Sequence, residues 1–77
     1  MKQDKFSVKL KNIDMMYQFL HDAKSLSNNV TAGQGIYSVD AKSLMGLLSL
    51  DLRQEIEVVI YGDIGLGDLY TLRKYIC

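Results

Sequence analysis

The sequence predicts an α+β fold, an open-faced two-layer sandwich in which a four-stranded antiparallel sheet carries three helices on one face. Three observations lead there. Phe6, Val8 and Leu10, and again Ile56, Val58 and Ile60, fall on every second position, the period of a strand with one apolar face. Ile13, Met16, Tyr17, Leu20 and Ala23, and later Leu69, Leu72 and Ile76, recur at helical spacing. Since each strand has a single apolar face and each helix a single stripe, all of them are buried together when the helices share one side of the sheet.

The elements follow in the order β-α-β-β-α-β-α. The first strand is expected over Lys5–Lys11, with Lys5, Lys9 and Lys11 forming a solvated basic face. A helix from Ile13 to about Ser25 follows, with Asn12 or Asp14 as its N-cap. Ser25–Asn29 is a connection. Val30–Ala32 and Ile36–Val39 are read as a hairpin whose gap is Gly33-Gln34-Gly35, glycine at both ends supplying the turn. Asp40–Leu50 has the pattern of a short helix, and Glu55–Tyr61 is the strongest strand. Gly62 to Gly67 is a glycine-punctuated turn, after which Leu69, Leu72 and Ile76 carry a helix to the end.

Composition narrows the function classes. The 77 residues make room for one domain, 1–77, and an apolar fraction of 48% is that of a packed globular chain. Nine basic and nine acidic residues cancel, so no net field attracts nucleic acid or an anionic membrane. No apolar run is long enough to span a bilayer, and the first residues lack a signal-type stretch. The single cysteine, Cys77, has no partner in the chain, so a reducing cytoplasm is expected. Gly33-x-Gly35 and the series Gly62, Gly65, Gly67 lack the spacing of nucleotide-binding loops and read as turns, so no cofactor is expected.

Val39-Asp40-Ala41-Lys42-Ser43-Leu44-Met45-Gly46-Leu47-Leu48-Ser49-Leu50 resembles the segment of the HPr phosphocarrier proteins built on a Lys-Ser-Ile-Met-Gly core. The element order matches that family's four strands and three helices, so the resemblance spans nearly the whole chain; outside the segment it is one of pattern. In the family, phosphate is carried by a histidine in a Gly-Ile-His-Ala-Arg-Pro loop at the start of the first helix, where an imidazole nitrogen is nucleophilic and unpaired helix amides favour an anion. The corresponding stretch here, Lys11-Asn12-Ile13-Asp14-Met15-Met16-Tyr17, contains no histidine, arginine or proline. Aligning on the first strand puts Asp14 or Met15 at the histidine position, whereas counting back from Ser43 puts Asn12 there. Asn12, Asp14 and Met15 therefore mark a degenerate carrier loop. No catalytic residue is assigned, and the chain is not expected to be an enzyme.

His21, the sole histidine, lies about two turns into the first helix, and no second ligand stands at metal-binding spacing. Asp14 offers a carboxylate that could in principle accept phosphate, but a helix N-cap explains it, and beside the amides its charge would repel an incoming phosphate. Ser43 matches the serine that HPr proteins of Gram-positive bacteria use for regulatory phosphorylation; a helix cap explains the same residue, and the two readings are compatible. The resemblance also implies that Leu44, Met45 and Leu48 form an apolar patch for docking partner proteins while Leu47 and Leu50 pack inward. Crowding argues likewise: Leu44, Leu47 and Leu48 could share an inner face, but Met45 lies off it, and so short a segment cannot bury apolar residues all round. The bland alternative makes Leu44 and Leu48 ordinary core residues. The expected function is a non-catalytic regulatory or protein-interaction module of phosphotransferase-system type. Its partners would be system components or a transcriptional regulator. The alternatives are a phosphocarrier acting through a non-standard site such as His21, and a structural subunit of a larger phosphotransferase protein.

Overall fold

The computed structural model describes residues 2–77. Four strands, β1 (Gln3–Val8), β2 (Val30–Gln34), β3 (Tyr37–Asp40) and β4 (Ile56–Tyr61), form one antiparallel sheet in the order β1-β4-β2-β3. Helices α1 (Ile13–Lys24), α2 (Leu44–Leu48) and α3 (Leu66–Leu72) pack on one face, and α3 runs on into a 3₁₀ turn at Arg73–Tyr75. The strand containing Val58 is interior to the sheet, pairing with β1 through Phe6↔Val58 and with β2 through Ala32↔Val58. That position explains its sequence: Ile56, Val58 and Ile60 are buried under the helices while Glu57 is exposed on the other face.

Where expectation and structure part, the reasons are local. β1 ends at Val8 rather than Lys11, because the Lys9 N–H turns to the Tyr75 carbonyl and Lys11 then takes a left-handed φ of 57° that swings the chain into α1. Lys5 is the one lysine of the expected basic face that lies on the strand; Leu10 is buried beyond its end. The buried stripe of α1 is Met16, Phe19, Leu20 and Ala23, which leaves Ile13 and Tyr17 half exposed. The face is turned toward Phe19, whose ring meets Tyr75 edge-on at 5.2 Å between centroids.

β2 continues through Gly33 and Gln34, so the hairpin turn is Gly35-Ile36 and Ile36 sits fully exposed at its tip instead of in a strand. Gly35 supplies the positive φ, 59°, that a tight two-residue connection requires at its first position. Gly33 pairs with Ser38, and a Cβ on it would lie 2.9 Å from the Tyr37 carbonyl oxygen. The segment Asp40–Leu50 is helical only over Leu44–Leu48, since Asp40 ends β3.

The last helix starts at Leu66, within the expected turn, and stops at Leu72. Ile76 is extended and bridges Val8, with the Cys77 N–H donating to the Ser7 carbonyl at 3.0 Å; Tyr75, not Ile76, is the buried residue of this end. Side-chain amides lock the loops. The Gln34 amide exchanges two hydrogen bonds with the Asp51 backbone, at 2.6 and 2.8 Å, and Asn28 Nδ2 donates to the carbonyls of Tyr61 and Asp63. Buried large side chains such as Phe19, Met16 and Leu47 each contribute about 1.5–3 kcal/mol through the apolar surface they remove from water.

Candidate functional site

Helix α2 is positioned from both ends. Ser43 has extended backbone angles and its Oγ accepts from the Gly46 N–H at 3.2 Å, so it is the N-cap of the helix. Gly46 allows the helix to lie close on β3: a Cβ there would be 3.1 Å from Val39 Cβ and 3.2 Å from the Asp40 carbonyl oxygen. Five residues make little more than one turn, so one side must face water. Leu47 is 0% exposed and Leu50 is buried, while Met45 is 77% and Leu48 46% exposed. Leu44 lies between, partly buried against the core. Met45 and Leu48 are thus an apolar surface beside the partly buried Ser43.

Lys42, preceding this cap, is anchored through its Nζ, which donates to the Leu26 carbonyl at 2.6 Å. Its ammonium is therefore committed to holding the α1–β2 connection against the start of α2. The Asp40 carboxylate, two residues earlier at the end of β3, accepts from the Lys42 N–H at 2.9 Å.

At the start of α1, Asn12 is the residue that caps the helix, its Oδ1 accepting from the Met15 N–H at 2.9 Å. Asp14 stands exposed in the first turn, where its charge suits the macrodipole, and Met15 is partly buried against the core. This loop therefore presents an amide, a carboxylate and a thioether. A carboxamide cap takes up one of the helix amides that an anion would use, and an adjacent carboxylate opposes a second negative charge. α1 and α2 pack against each other, so the capped α1 start and the Ser43 helix belong to the same layer of the sandwich. His21 is exposed in the last turn of α1, away from its start.

Two further surfaces escaped the sequence reading. Ile13 and Tyr17, one turn apart, leave an exposed apolar strip on α1; both keep the period of Met16, Leu20 and Ala23, so nothing in the spacing sets them apart. A groove of about 570 Å³ runs between β1 and α3, lined chiefly by Phe6, Leu66, Leu69, Tyr70 and Ile76. Leu66 and Tyr70, four residues apart on α3, signalled it by repeating an apolar face distinct from that of Leu72.

Among the described residues no group of three metal-ligating side chains comes together, and no helix is long and apolar enough to cross a membrane. The marked electrostatic perturbations lie elsewhere. The Arg53 guanidinium and backbone N–H hold the Asp51 carboxyl below its usual range in the loop after α2. Burial, and then the hydrogen bond to Asp22, push the Tyr75 phenol above its own.

No family model matches the chain, and no curated protein matches it. Solved structures do. The chain is similar to HPr-C-His from Thermoanaerobacter tengcongensis, with 25% identity and a TM-score of 0.76 over 99% of this chain and 91% of that one. It is similar also to a phosphocarrier protein HPr from Bacillus anthracis, with 23% identity and a TM-score of 0.74 over 99% and 96% of the two chains. The four-stranded sheet with its helical layer is the HPr fold.

Proposed function

From a fold shared with phosphocarrier proteins we propose that this chain is a non-catalytic regulatory or interaction module, an HPr-like scaffold that docks a protein partner in the cytoplasm through Ser43, Leu44, Met45 and Leu48. One observation carries the reading: Met45 and Leu48 are exposed on a helix whose Leu47 is fully buried, so the apolar surface is left over after the core has been filled. An exposed apolar surface of this kind is a liability for a soluble domain unless a partner covers it. Protein components of a phosphotransferase system, or a regulator that reads them, are the partners such a scaffold fits.

The α1 start supports the same reading. Phosphoryl carriage needs a nucleophile beside free helix amides, and this loop offers Asn12 as a cap, Asp14 as a charge and Met15 as packing. Ser43 remains available for regulation, since its Oγ makes one hydrogen bond as acceptor and a phosphate there would add charge beside Met45.

The test has two arms. Incubation with phosphoenolpyruvate and the general phosphotransferase enzyme, read by intact mass, should leave the chain unmodified; an acid-labile phosphate on His21 would establish the phosphocarrier alternative instead. Capture of partners from native cells should give a protein whose binding is lost in Met45→Asp with the fold intact, and unchanged binding would move the interface to another face.

A further inference from the structure

The fold treats its methionines in opposite ways. Among the described residues Met16 is fully buried and Met15 is partly buried against the core, whereas Met45 is 77% exposed. Helix α2 is held down by Leu47 on the core and by Gly46 on Val39, so the side chain that precedes Gly46 points to water. Nothing on its own helix shields it: Gly46 has no side chain, and the two caps, Ser43 and Ser49, are short. Leu44 and Leu48 beside it are hydrocarbon. The apolar surface of α2 thus carries one readily oxidised atom, the Met45 sulfur, at its most exposed point, and thioether oxidation follows exposure.

We propose that Met45 is a redox-modification site, at which a hydroperoxide switches the apolar surface of α2 off and a thiol-dependent sulfoxide reductase switches it on again. As control of partner binding the proposal rests on the docking role of Ser43 to Leu48; the chemistry at sulfur does not. A sulfur lone pair attacks one oxygen of hydrogen peroxide, the O–O bond breaks and an S–O bond forms. The departing hydroxide takes the proton of the transferred oxygen and leaves as water. Sulfur loses two electrons and the peroxide gains them. In the return step two thiols are oxidised to a disulfide, and the sulfoxide oxygen leaves as water.

The position decides what the modification does. A sulfoxide is a polar acceptor, and on a side chain already in water it stays hydrated, so the fold tolerates it. Drawn into a desolvated contact it would lose that hydration, and the contact does not tolerate it. At Met16 the same chemistry would place a polar group in the core. Burial of Met16 and exposure of Met45 therefore direct oxidation to the one place where it alters a surface and leaves the domain standing.

The test uses the chain carrying Cys77→Ser, which removes the exposed thiol as a competing target. It is treated with hydrogen peroxide at neutral pH and mapped by peptide mass. In the folded chain Met45 should be oxidised more than about tenfold faster than Met16, and in urea the two rates should converge to within about twofold. The chain oxidised at Met45 should keep its melting temperature and elute earlier than the parent in hydrophobic-interaction chromatography. Sulfoxide reductases of both stereospecificities with dithiothreitol should return it to the parent position. In Met45→Leu, which lacks the sulfur, retention should not respond to peroxide. Against a captured partner the sulfoxide should weaken binding about tenfold. Equal rates at Met45 and Met16 in the folded chain, retention unmoved by oxidation, a peroxide response that persists in Met45→Leu, or a sulfoxide that the reductases leave in place would each overturn the proposal. Binding lost in Met45→Asp but kept by the sulfoxide overturns the switch and leaves the docking role intact; binding kept by both removes the docking role, and the switch with it.

Discussion

The phenol of Tyr75 donates a 2.6 Å hydrogen bond to Asp22 Oδ2, joining residues 53 apart and fastening the end of the described chain to the last turn of α1. Lys74 Nζ lies 3.5 Å from the same carboxylate oxygen. The ring of Tyr75 is buried against the edge of Phe19, so the hydroxyl has one direction in which to be satisfied.

Tyr75→Phe keeps the ring and removes the donor. The variant should lose about 1.5–3 kcal/mol, the range for a hydrogen bond to a charged group. A urea titration at neutral pH measures it, and a midpoint equal to that of the parent would show that solvent replaces the bond.

The same phenol makes stability depend on alkaline pH. Its pKa is raised in the folded state by burial and by Asp22, so the folded chain holds the proton where the unfolded one releases it. The contribution is complete below the unfolded tyrosine value of about 10 and declines as pH rises above it. Thermal melts between neutral pH and strongly alkaline pH should show this fall, and Tyr75→Phe should show a shallower one.

Gly46→Ala sets two effects against each other. Alanine is favoured over glycine within a helix by about 1 kcal/mol. Its methyl, however, would stand 3.1 Å from Val39 Cβ and 3.2 Å from the Asp40 carbonyl oxygen, one of them backbone. Moving α2 off β3 should win, with a net loss of about 1–3 kcal/mol. Calorimetric melting decides the sign, and a higher melting temperature would mean that α2 is loosely seated.

Leu47→Ala and Met45→Ala separate core from surface on one short helix. The first empties a fully buried position and should cost about 2–5 kcal/mol. The second removes an exposed side chain and should stay within about 0.5 kcal/mol of the parent. Against a captured partner the ranking should invert: Met45→Asp should cost on the order of 2 kcal/mol or more in affinity, because it puts an unpaired charge into a desolvated contact.

Asn12→Ala removes the side chain that accepts from the Met15 N–H and should destabilise α1 by about 1 kcal/mol. Asp14→Ala, which touches the helix only through its charge, should cost less. Comparable losses for the two would assign the capping to the wrong residue.

The layers of this fold were legible because they rest on periodicity. The alternation of Ile56, Val58 and Ile60 survives in the structure as the buried face of an interior strand, and Ser43 caps the helix that its motif places there. What escaped was decided by single backbone contacts. The hairpin turn starts two residues later than the glycines suggested, at Gly35 instead of Gly33, because Gly33 is needed where β2 passes the Tyr37 carbonyl. Ile76 kept helical spacing with Leu69 and Leu72 but left the helix, because pairing with Val8 and burial of Tyr75 outweigh continuing it. In α1, Ile13 and Tyr17 fit the period as well as Phe19 does; only the ring of Tyr75, far along the chain, chooses between the two faces. The candidate site was legible where a motif named it, at Ser43 to Leu48. Of the β1–α3 groove the sequence shows one wall, the repeat of Leu66 and Tyr70 on α3, while the other, Phe6, lies on an element distant in sequence.

The strand that begins the described chain finds its partners, β4 on one side and Ile76 on the other, almost at its opposite end. Closing those pairs requires nearly the whole length to be gathered first, and this ordering cost falls on the barrier rather than on the final stability. β2, β3 and the α2 cap, by contrast, assemble from near neighbours. The molecule should therefore fold from its middle outward, with β1 the last strand in and the first to come away.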